Sequence, residues 1–175
     1  MTARLWRIAA LAAAATAALA VPAGATQAEL QDVPSLERSI VAEINAVRRG
    51  YGLPLLRASG ALARAADGHS RAMATLGFFG HSSRDGTAFW KRIARSYPRR
   101  GYAYWTVGEN LLWSSSELDA RAAVRMWLRS PPHRKVLLSR SWRELGISAV
   151  RASAAPGYFA GSAVTVVTAD FGQRR

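Results

Sequence analysis

The amino-acid sequence predicts an α+β fold in which helices cover an antiparallel sheet. Apolar residues recur at helical spacing through the first two thirds of the chain, and two stretches with the composition of strands follow near its end. Helices early and strands late are typical of this fold class, since each apolar face must pack against another layer. A length of 175 residues fits one domain, and a hydrophobic content of 50% excludes a disordered chain.

The first 25 residues are predicted to be a secretory signal peptide. Two arginines precede the apolar run 8–21, and Ala23-Gly24-Ala25 supplies small residues for cleavage. The run is shorter than the ~20 residues that a membrane-spanning helix needs. An uncleaved anchor and a cut after Ala28 are the alternatives. Residues 26–34 are then a short lead-in, residues 35–175 form the domain, and we expect the protein to be secreted, either outside the cell or into the cell envelope.

Five helices are predicted from apolar spacing and from the residues that bound them. Ser35 caps the first helix and Ser59 opens the second, and glycines end both. Ser116-x-x-Asp119 resembles a capping box, with Asp in place of Glu, before the fourth helix. The fifth begins at Pro131-Pro132, because proline is tolerated in a first helical turn. The predicted helices cover residues 35 to about 50, 59–76, 87–97, about 120–128 and 131–138.

Three further segments are predicted to be extended. Residues 102–113 mix aromatic and aliphatic side chains, which indicates a partly buried stretch. Residues 146–150 and 163–171 have the composition of strands, and the second is rich in Val and Thr.

The composition excludes several chemistries and favours anionic partners. There is no cysteine, so disulfides, cysteine-ligated zinc, iron–sulfur clusters and thiol nucleophiles are excluded. The 24 Lys and Arg residues outnumber the 11 Asp and Glu residues, for a formal charge of +13, and all but two of the basic residues are Arg. Such an excess attracts nucleic acid, anionic lipid or acidic envelope polymer. Secretion argues against nucleic acid, and a solvated arginine-rich surface without a specific partner is the simplest interpretation.

Three histidines and one acid are the candidates for chemistry. His69 lies mid-helix, where a packing role is the simplest interpretation, whereas His81 enters a polar turn after Phe78-Phe79-Gly80, where site residues concentrate. Glu109 is an acid inside an apolar segment, so it must be paired, hydrogen-bonded or neutralised. A hydrogen bond from a backbone turn is one structural alternative. His133 falls in the first turn of a short helix, where the dipole favours neutral imidazole.

Together these blocks resemble the CAP superfamily, which comprises cysteine-rich secretory proteins, antigen 5 and type 1 pathogenesis-related proteins and is defined by the SCP domain. The blocks are Phe79-Gly80-His81 with Asp85-Gly86, Gly108-Glu109-Asn110, Trp127-x-x-Ser130-x-x-His133-Arg134 with Gly146, and a closing strand over 166–172. The resemblance runs in order from about Leu36 to Gly172 and matches the small bacterial secreted form.

The resemblance implies a three-layer α-β-α sandwich with a central antiparallel sheet and a large open cleft. In the family two histidines and two acids line that cleft and can hold a divalent metal. His81, Glu109 and His133 match three of these positions. The family's second Glu falls near Lys91-Arg92, where this chain has no acid. Between His81 and Glu109 the only acid is Asp85, and we expect this residue to shape its turn.

The resemblance further implies ligand binding in the cleft, with zinc as the candidate metal and lipid, sterol or envelope polymer as the candidate ligand. Two imidazoles and one carboxylate suit zinc and leave a fourth position open. We expect a monomer, and attachment to a membrane surface stays open. Asn110 and Ser130 are weaker site candidates.

Whether the chain is an enzyme stays open, because no nucleophile motif is present. A serine hydrolase would use Ser130 or Ser82 beside a histidine, yet neither serine lies in a Gly-x-Ser-x-Gly elbow. A cell-wall hydrolase would pair Glu109 with Asp85. A metal-dependent protease and a basic adhesion protein are the remaining alternatives.

Overall fold

The computed structural model describes residues 29–175, so the predicted signal peptide and both proposed cleavage points lie outside the described residues. Five helices and five strands follow one another in this part of the chain. The helices are α1 (Pro34–Gly50), α2 (Gly60–Leu76), α3 (Phe89–Ser96), α4 (Ala120–Arg129) and α5 (Pro131–Leu137). The strands are β1 (Leu30–Asp32), β2 (Arg57–Ala58), β3 (Trp105–Ser114), β4 (Glu144–Ala155) and β5 (Ser162–Arg174).

The strands form one sheet in the order β1-β4-β5-β3, and β2 adds a short parallel pairing to β4. All other pairings are antiparallel, which confirms the predicted fold class. The long strands β4 and β5 lie in the middle, and β3 pairs along its whole length with β5. Because β3 ends the sheet, one of its edges has no strand partner among the described residues.

Helices cover both faces of the sheet, as a three-layer sandwich requires. Side chains on β5 alternate between the faces, as they must in a strand. Val167, Ala169 and Phe171 belong to the core formed with α1, α4 and α5, whereas Val164 and Val166 pack with α2. A third cluster joins α2 to α3.

The predicted helices are all present, but two predicted caps are wrong. α1 begins at Pro34 with Val33 in the cap position, because proline fits the first helical turn and displaces the start from Ser35. Asp119, not Ser116, caps α4 and accepts a hydrogen bond from the Ala122 N–H at 2.6 Å. The Asp119 carboxylate, one residue before the helix, reaches that N–H directly, so Ser116 and Asp119 do not form a capping box.

The strands extend further than their sequence patterns indicated. The segments predicted over 146–150 and 163–171 become twelve and thirteen residues long, because pairing in the middle of the sheet carries their polar ends along. β1 lies in the predicted lead-in, and β2 lies between α1 and α2. Neither was predicted, since strands of two or three residues have no readable period. The third helix is shorter than predicted and covers Phe89–Ser96.

Helix α2 lies unusually close to the sheet at Gly146. A Cβ atom at that position would lie 2.1 Å from the Ala63 nitrogen and 2.2 Å from the Leu62 carbonyl carbon, both on α2. Backbone atoms cannot turn aside as a side chain can, so only glycine permits this approach. The close packing sets the distance between α2 and the strands that carry the candidate site.

Candidate functional site

The candidate site is built around a hydrogen bond between His81 and Glu109. Glu109 lies on β3 and is almost fully buried, whereas the His81 side chain, in the loop after α2, is 51% exposed. The His81 Nδ1 lies 2.8 Å from the Glu109 Oε1. An ionised carboxylate only accepts hydrogen bonds, so Nδ1 carries the proton and donates. The other ring nitrogen, Nε2, is therefore the one that His81 can offer to a ligand.

Arg92 of α3 binds the second oxygen of the same carboxylate. Its Nη2 donates to the Glu109 Oε2, and the Arg92 side chain is only 11% exposed. Burial alone raises the pKa of Glu109, but the hydrogen bond from His81 and the charge of Arg92 outweigh it, so the pKa of Glu109 lies below its usual value. Glu109 is thus a charged, doubly paired carboxylate, and the alternative of a hydrogen bond from a backbone turn is wrong.

Asp170 is a second buried acid, and it was not among the residues singled out from the sequence. It lies directly opposite Glu109 in the β3–β5 register, and its Oδ2 is 3.8 Å from the Arg92 Nη1. Neither carboxyl oxygen has a hydrogen-bond partner among the described residues. Burial and the neighbouring Glu109 raise the pKa of Asp170 well above its usual value. The sequence feature that could have identified Asp170 is an acid within a strand rich in Val and Thr, which resembles the feature that identified Glu109.

His69 of α2 supports the loop that carries His81. Its ring is buried, and Nε2 lies 2.9 Å from the carbonyl oxygen of Gly80, so Nε2 donates. Burial lowers the pKa of His69, and the charge of Arg92 lowers it further. The packing interpretation of His69 is therefore correct. Because Gly80 directly precedes His81, this hydrogen bond ties His69 to the loop at the site, which the sequence alone did not indicate.

His133 approaches from the other side of β3. The Asn110 side chain points to that side, and its Nδ2 donates to the His133 carbonyl oxygen at 3.0 Å, which ties α5 to the strand. The pKa of His133 is lowered, first by burial and then by the charge of His81. The predicted direction is correct, and burial is its largest cause.

An apolar pocket adjoins His133 along the free edge of β3. We call it the edge pocket. Its volume is about 270 Å³. Its lining consists of Phe79, Leu111, Leu112, Trp113, Met126, Trp127, Ser130 and His133. Apolar side chains of β3, α4 and the loop before His81 thus meet beside the imidazole of His133.

The weaker candidates take structural positions. The Asp85 Oδ1 accepts a hydrogen bond from the Thr87 N–H at 2.9 Å, which lowers the pKa of Asp85 and makes it the turn residue that we expected. Ser130 precedes α5 in the cap position, with no capping hydrogen bond from its hydroxyl. Among the side-chain hydrogen bonds of residues 29–175, none joins Ser130 or Ser82 to a histidine, so no serine–histidine pair supports a nucleophile.

The predicted zinc ligands, His81, Glu109 and His133, do not fit a divalent ion in their present arrangement. His81 and Arg92 each bind one oxygen of Glu109, and a permanently positive guanidinium lies against that carboxylate. In the part of the chain that the structure describes, no three His, Asp or Glu side chains form a group that could hold a metal. The zinc site therefore stays a prediction from the resemblance.

Comparison with known proteins decides the family. The sequence model of the cysteine-rich secretory protein family, CAP, matches residues 41–171 of this chain. The chain belongs to the CAP family. The matched segment of the CAP domain contains His81, Glu109 and His133, and it ends one residue after Asp170.

Solved structures agree with this assignment. An extracellular SCP-domain protein from Bacillus anthracis is 28% identical, with a TM-score of 0.60 over 79% of this chain and 40% of that one. An outer surface protein of Borrelia burgdorferi shares the fold with a TM-score of 0.68 and 19% identity, over 85% of this chain and 99% of that one.

The curated relatives are longer than this chain. YlbC of Bacillus subtilis, described as an uncharacterized membrane protein, is 30% identical over 66% of this chain and 32% of its own length. YkwD of the same organism is 29% identical over 67% of this chain and 44% of its own length. The match thus spans less than half of each relative. Within residues 29–175 of the CAP protein described here, no helix has the length and apolarity needed to cross a membrane.

Proposed function

We propose that this CAP protein is exported and binds a single-chain, lipid-like ligand. The edge pocket takes the acyl chain, and His133 and His81 contact the polar group. The observation that carries the proposal is the apolar lining of the edge pocket directly beside His133. A cavity lined mainly by apolar and aromatic side chains, with a few polar groups at one end, is the usual form of a ligand site.

The pocket volume selects among the ligand classes. Pockets for drug-sized ligands usually enclose about 300–1,000 Å³, and the edge pocket, at about 270 Å³, lies just below that range. An acyl segment fits this space better than a rigid sterol does. Each buried methylene contributes about 0.8 kcal/mol, so a short chain suffices for measurable binding.

The side chains of His81 and His133 favour an anionic or hydrogen-bond-accepting headgroup. His81 is half exposed, with Nε2 free of the Glu109 contact, and His133 lines the pocket itself. Imidazoles beside a carboxylate or phosphate headgroup would act as hydrogen-bond donors when protonated. The formal net charge of +13 attracts the same ligands over longer distances.

Titration of the purified protein with lysophosphatidylglycerol below its micelle concentration tests the proposal. Because Trp113 and Trp127 line the pocket, binding should change tryptophan fluorescence in a saturable way. Met126→Gln should weaken binding ~3- to 10-fold, since it removes part of the apolar wall. Leu55→Gln is the matched control, because Leu55 and Met126 are 48% and 46% exposed and Leu55 does not line the pocket. An absent signal, or equal weakening in both variants, would contradict the proposal.

Attachment to an anionic envelope surface is a second candidate function. Arginines and exposed aromatic side chains cluster near the chain end: the Arg174 guanidinium lies 5.2 Å from the Tyr102 ring centroid, and that of Arg175 lies 5.1 Å from Tyr104. Exposed rings beside cations suit the interface of an anionic membrane. Sedimentation with phosphatidylglycerol vesicles should then fall steeply with salt and fail with phosphatidylcholine. Equal sedimentation with both vesicle types would contradict it.

A hydrolase has less support. The Asp85 carboxylate is committed to the hydrogen bond within its turn, which disfavours its pairing with Glu109. The two neighbouring acids, Glu109 and Asp170, are both buried. Hydrolysis of lysophosphatidylglycerol during the titration described above would support a hydrolase function.

A further inference from the structure

We infer that the guanidinium of Arg92 is the resident cation at Glu109 and takes the place of a divalent metal beside that carboxylate. The inference concerns the residues around Glu109, and it holds or fails independently of which ligand the edge pocket binds. It assigns a charge-balancing role to a residue that lies where the family resemblance places an acid.

The geometry holds the cation on the protein itself. Arg92 Nη2 donates to the Glu109 Oε2, and Nη1 lies 3.8 Å from the Asp170 Oδ2 and 3.4 Å from the Ala65 carbonyl oxygen. A single guanidinium thus faces two neighbouring carboxyl groups and a backbone oxygen. The next residue, Ile93, is fully buried, which anchors α3 and therefore the position from which Arg92 reaches the site.

The Glu109 carboxylate is already paired without an added ion. The His81 Nδ1 lies 2.8 Å from one of its oxygens, and the Arg92 Nη2 donates to the other. Arg92 supplies the matching positive charge and stays ionised under all ordinary conditions. A divalent ion beside Glu109 would have to displace a buried, hydrogen-bonded guanidinium or share a poorly solvated site with it, and like charges repel strongly there.

Removal of Arg92 should therefore open the Glu109 carboxylate to a metal. In Arg92→Glu, a second carboxylate would join His81 and Glu109, which lie 2.8 Å apart, and zinc accepts such nitrogen and oxygen ligands. In Arg92→Gln, the positive charge is lost and His81 and Glu109 become available to a metal. The ordinary protein is expected to bind zinc weakly or not at all at this site.

Calorimetric titration with zinc chloride near neutral pH tests the inference. Wild type should give no one-to-one isotherm at micromolar zinc, and Arg92→Glu should bind one zinc at least ~10-fold more tightly than any wild-type binding. Arg95→Glu is the matched control, because Arg95 lies on the exposed side of the same helix and makes the same change of charge. Its zinc affinity should equal that of wild type.

Two results would overturn the inference. One is one-to-one micromolar zinc binding by wild type that disappears in His81→Ala. The other is a folded Arg92→Glu and a folded Arg92→Gln that both bind zinc no better than wild type. If Arg92→Glu does not fold by circular dichroism, Arg92→Gln and wild type decide the question. The titration with lysophosphatidylglycerol is read separately, so failure of lipid binding and failure of the resident-cation inference are distinguishable.

Discussion

Replacement of Gly146 by alanine should strongly destabilise the protein, because it forces two backbones apart. The new Cβ would lie 2.1 Å and 2.2 Å from backbone atoms of Ala63 and Leu62. Ordinary contacts between carbon atoms are about 3.5–4.0 Å. Either α2 or β4 must therefore move by more than ~1 Å to restore normal contact.

The expected net loss is about 2–2.5 kcal/mol in the free energy of unfolding. Overpacking a filled interior usually costs about 1–3 kcal/mol, and the upper end applies here because both nearest atoms belong to the backbone. Alanine returns ~0.5–1 kcal/mol by restricting the unfolded chain. Gly146 also faces Asp170 across the β4–β5 pairing, so the shift should reach the candidate site.

Urea unfolding followed by circular dichroism measures this loss. With a slope of about 2 kcal/mol per molar urea, the midpoint should fall by ~1 M. Gly68→Ala is the matched control, because Gly68 is an exposed position inside α2 where a Cβ atom would meet nothing within 4 Å beyond its own helix. That variant should gain ~0.5–1 kcal/mol. A Gly146→Ala midpoint within error of wild type would refute the packing argument.

Three further predictions concern the charged groups and a cap. Glu109→Gln should cost ~2–4 kcal/mol of unfolding free energy, because it leaves the Arg92 guanidinium without its counter-charge. The control Glu117→Gln changes an exposed residue and should leave stability unchanged. Equal urea midpoints for the two variants would contradict this prediction. The pKa of His69 is lowered in the fold, so the unfolded chain binds the extra proton first. Stability should therefore decline as pH falls from about 6.5 towards the lowered pKa, and His69→Gln should reduce that decline in thermal unfolding; an unchanged pH dependence would count against it. Asp119→Ala should lower the free energy of unfolding by ~1 kcal/mol, and Ser116→Ala should leave it almost unchanged. A larger fall of the urea midpoint in Ser116→Ala than in Asp119→Ala would instead favour Ser116 as the cap.

The order of the elements was predictable because each depends on local chemistry. Helical spacing and bounding glycines located α1 and α2, and the Val/Thr content located β5. The exact caps were less predictable, since Val33 and Asp119 take positions for which nearby serines were equally plausible in sequence. The short strands β1 and β2 exist only because β4 is there to pair with them.

Part of the candidate site was also predictable. An acid inside an apolar segment must find a partner, and this argument identified Glu109 before its partners were known. The same argument applied to Asp170, but the sequence does not state which strands lie side by side. Only the β3–β5 register shows that the two acids face each other, and therefore that they compete for one guanidinium.

The sequence by itself determined the fold class and the family resemblance, and it predicted three site positions, His81, Glu109 and His133, because periodicity and local motifs depend on residues close together in the chain. The tertiary structure decided that Arg92, not a fourth acid, lies against Glu109, and that the edge pocket opens beside His133. Charge balance and cavity shape depend on distances between residues far apart in the chain, which only the packing of α2 and α3 on the sheet defines.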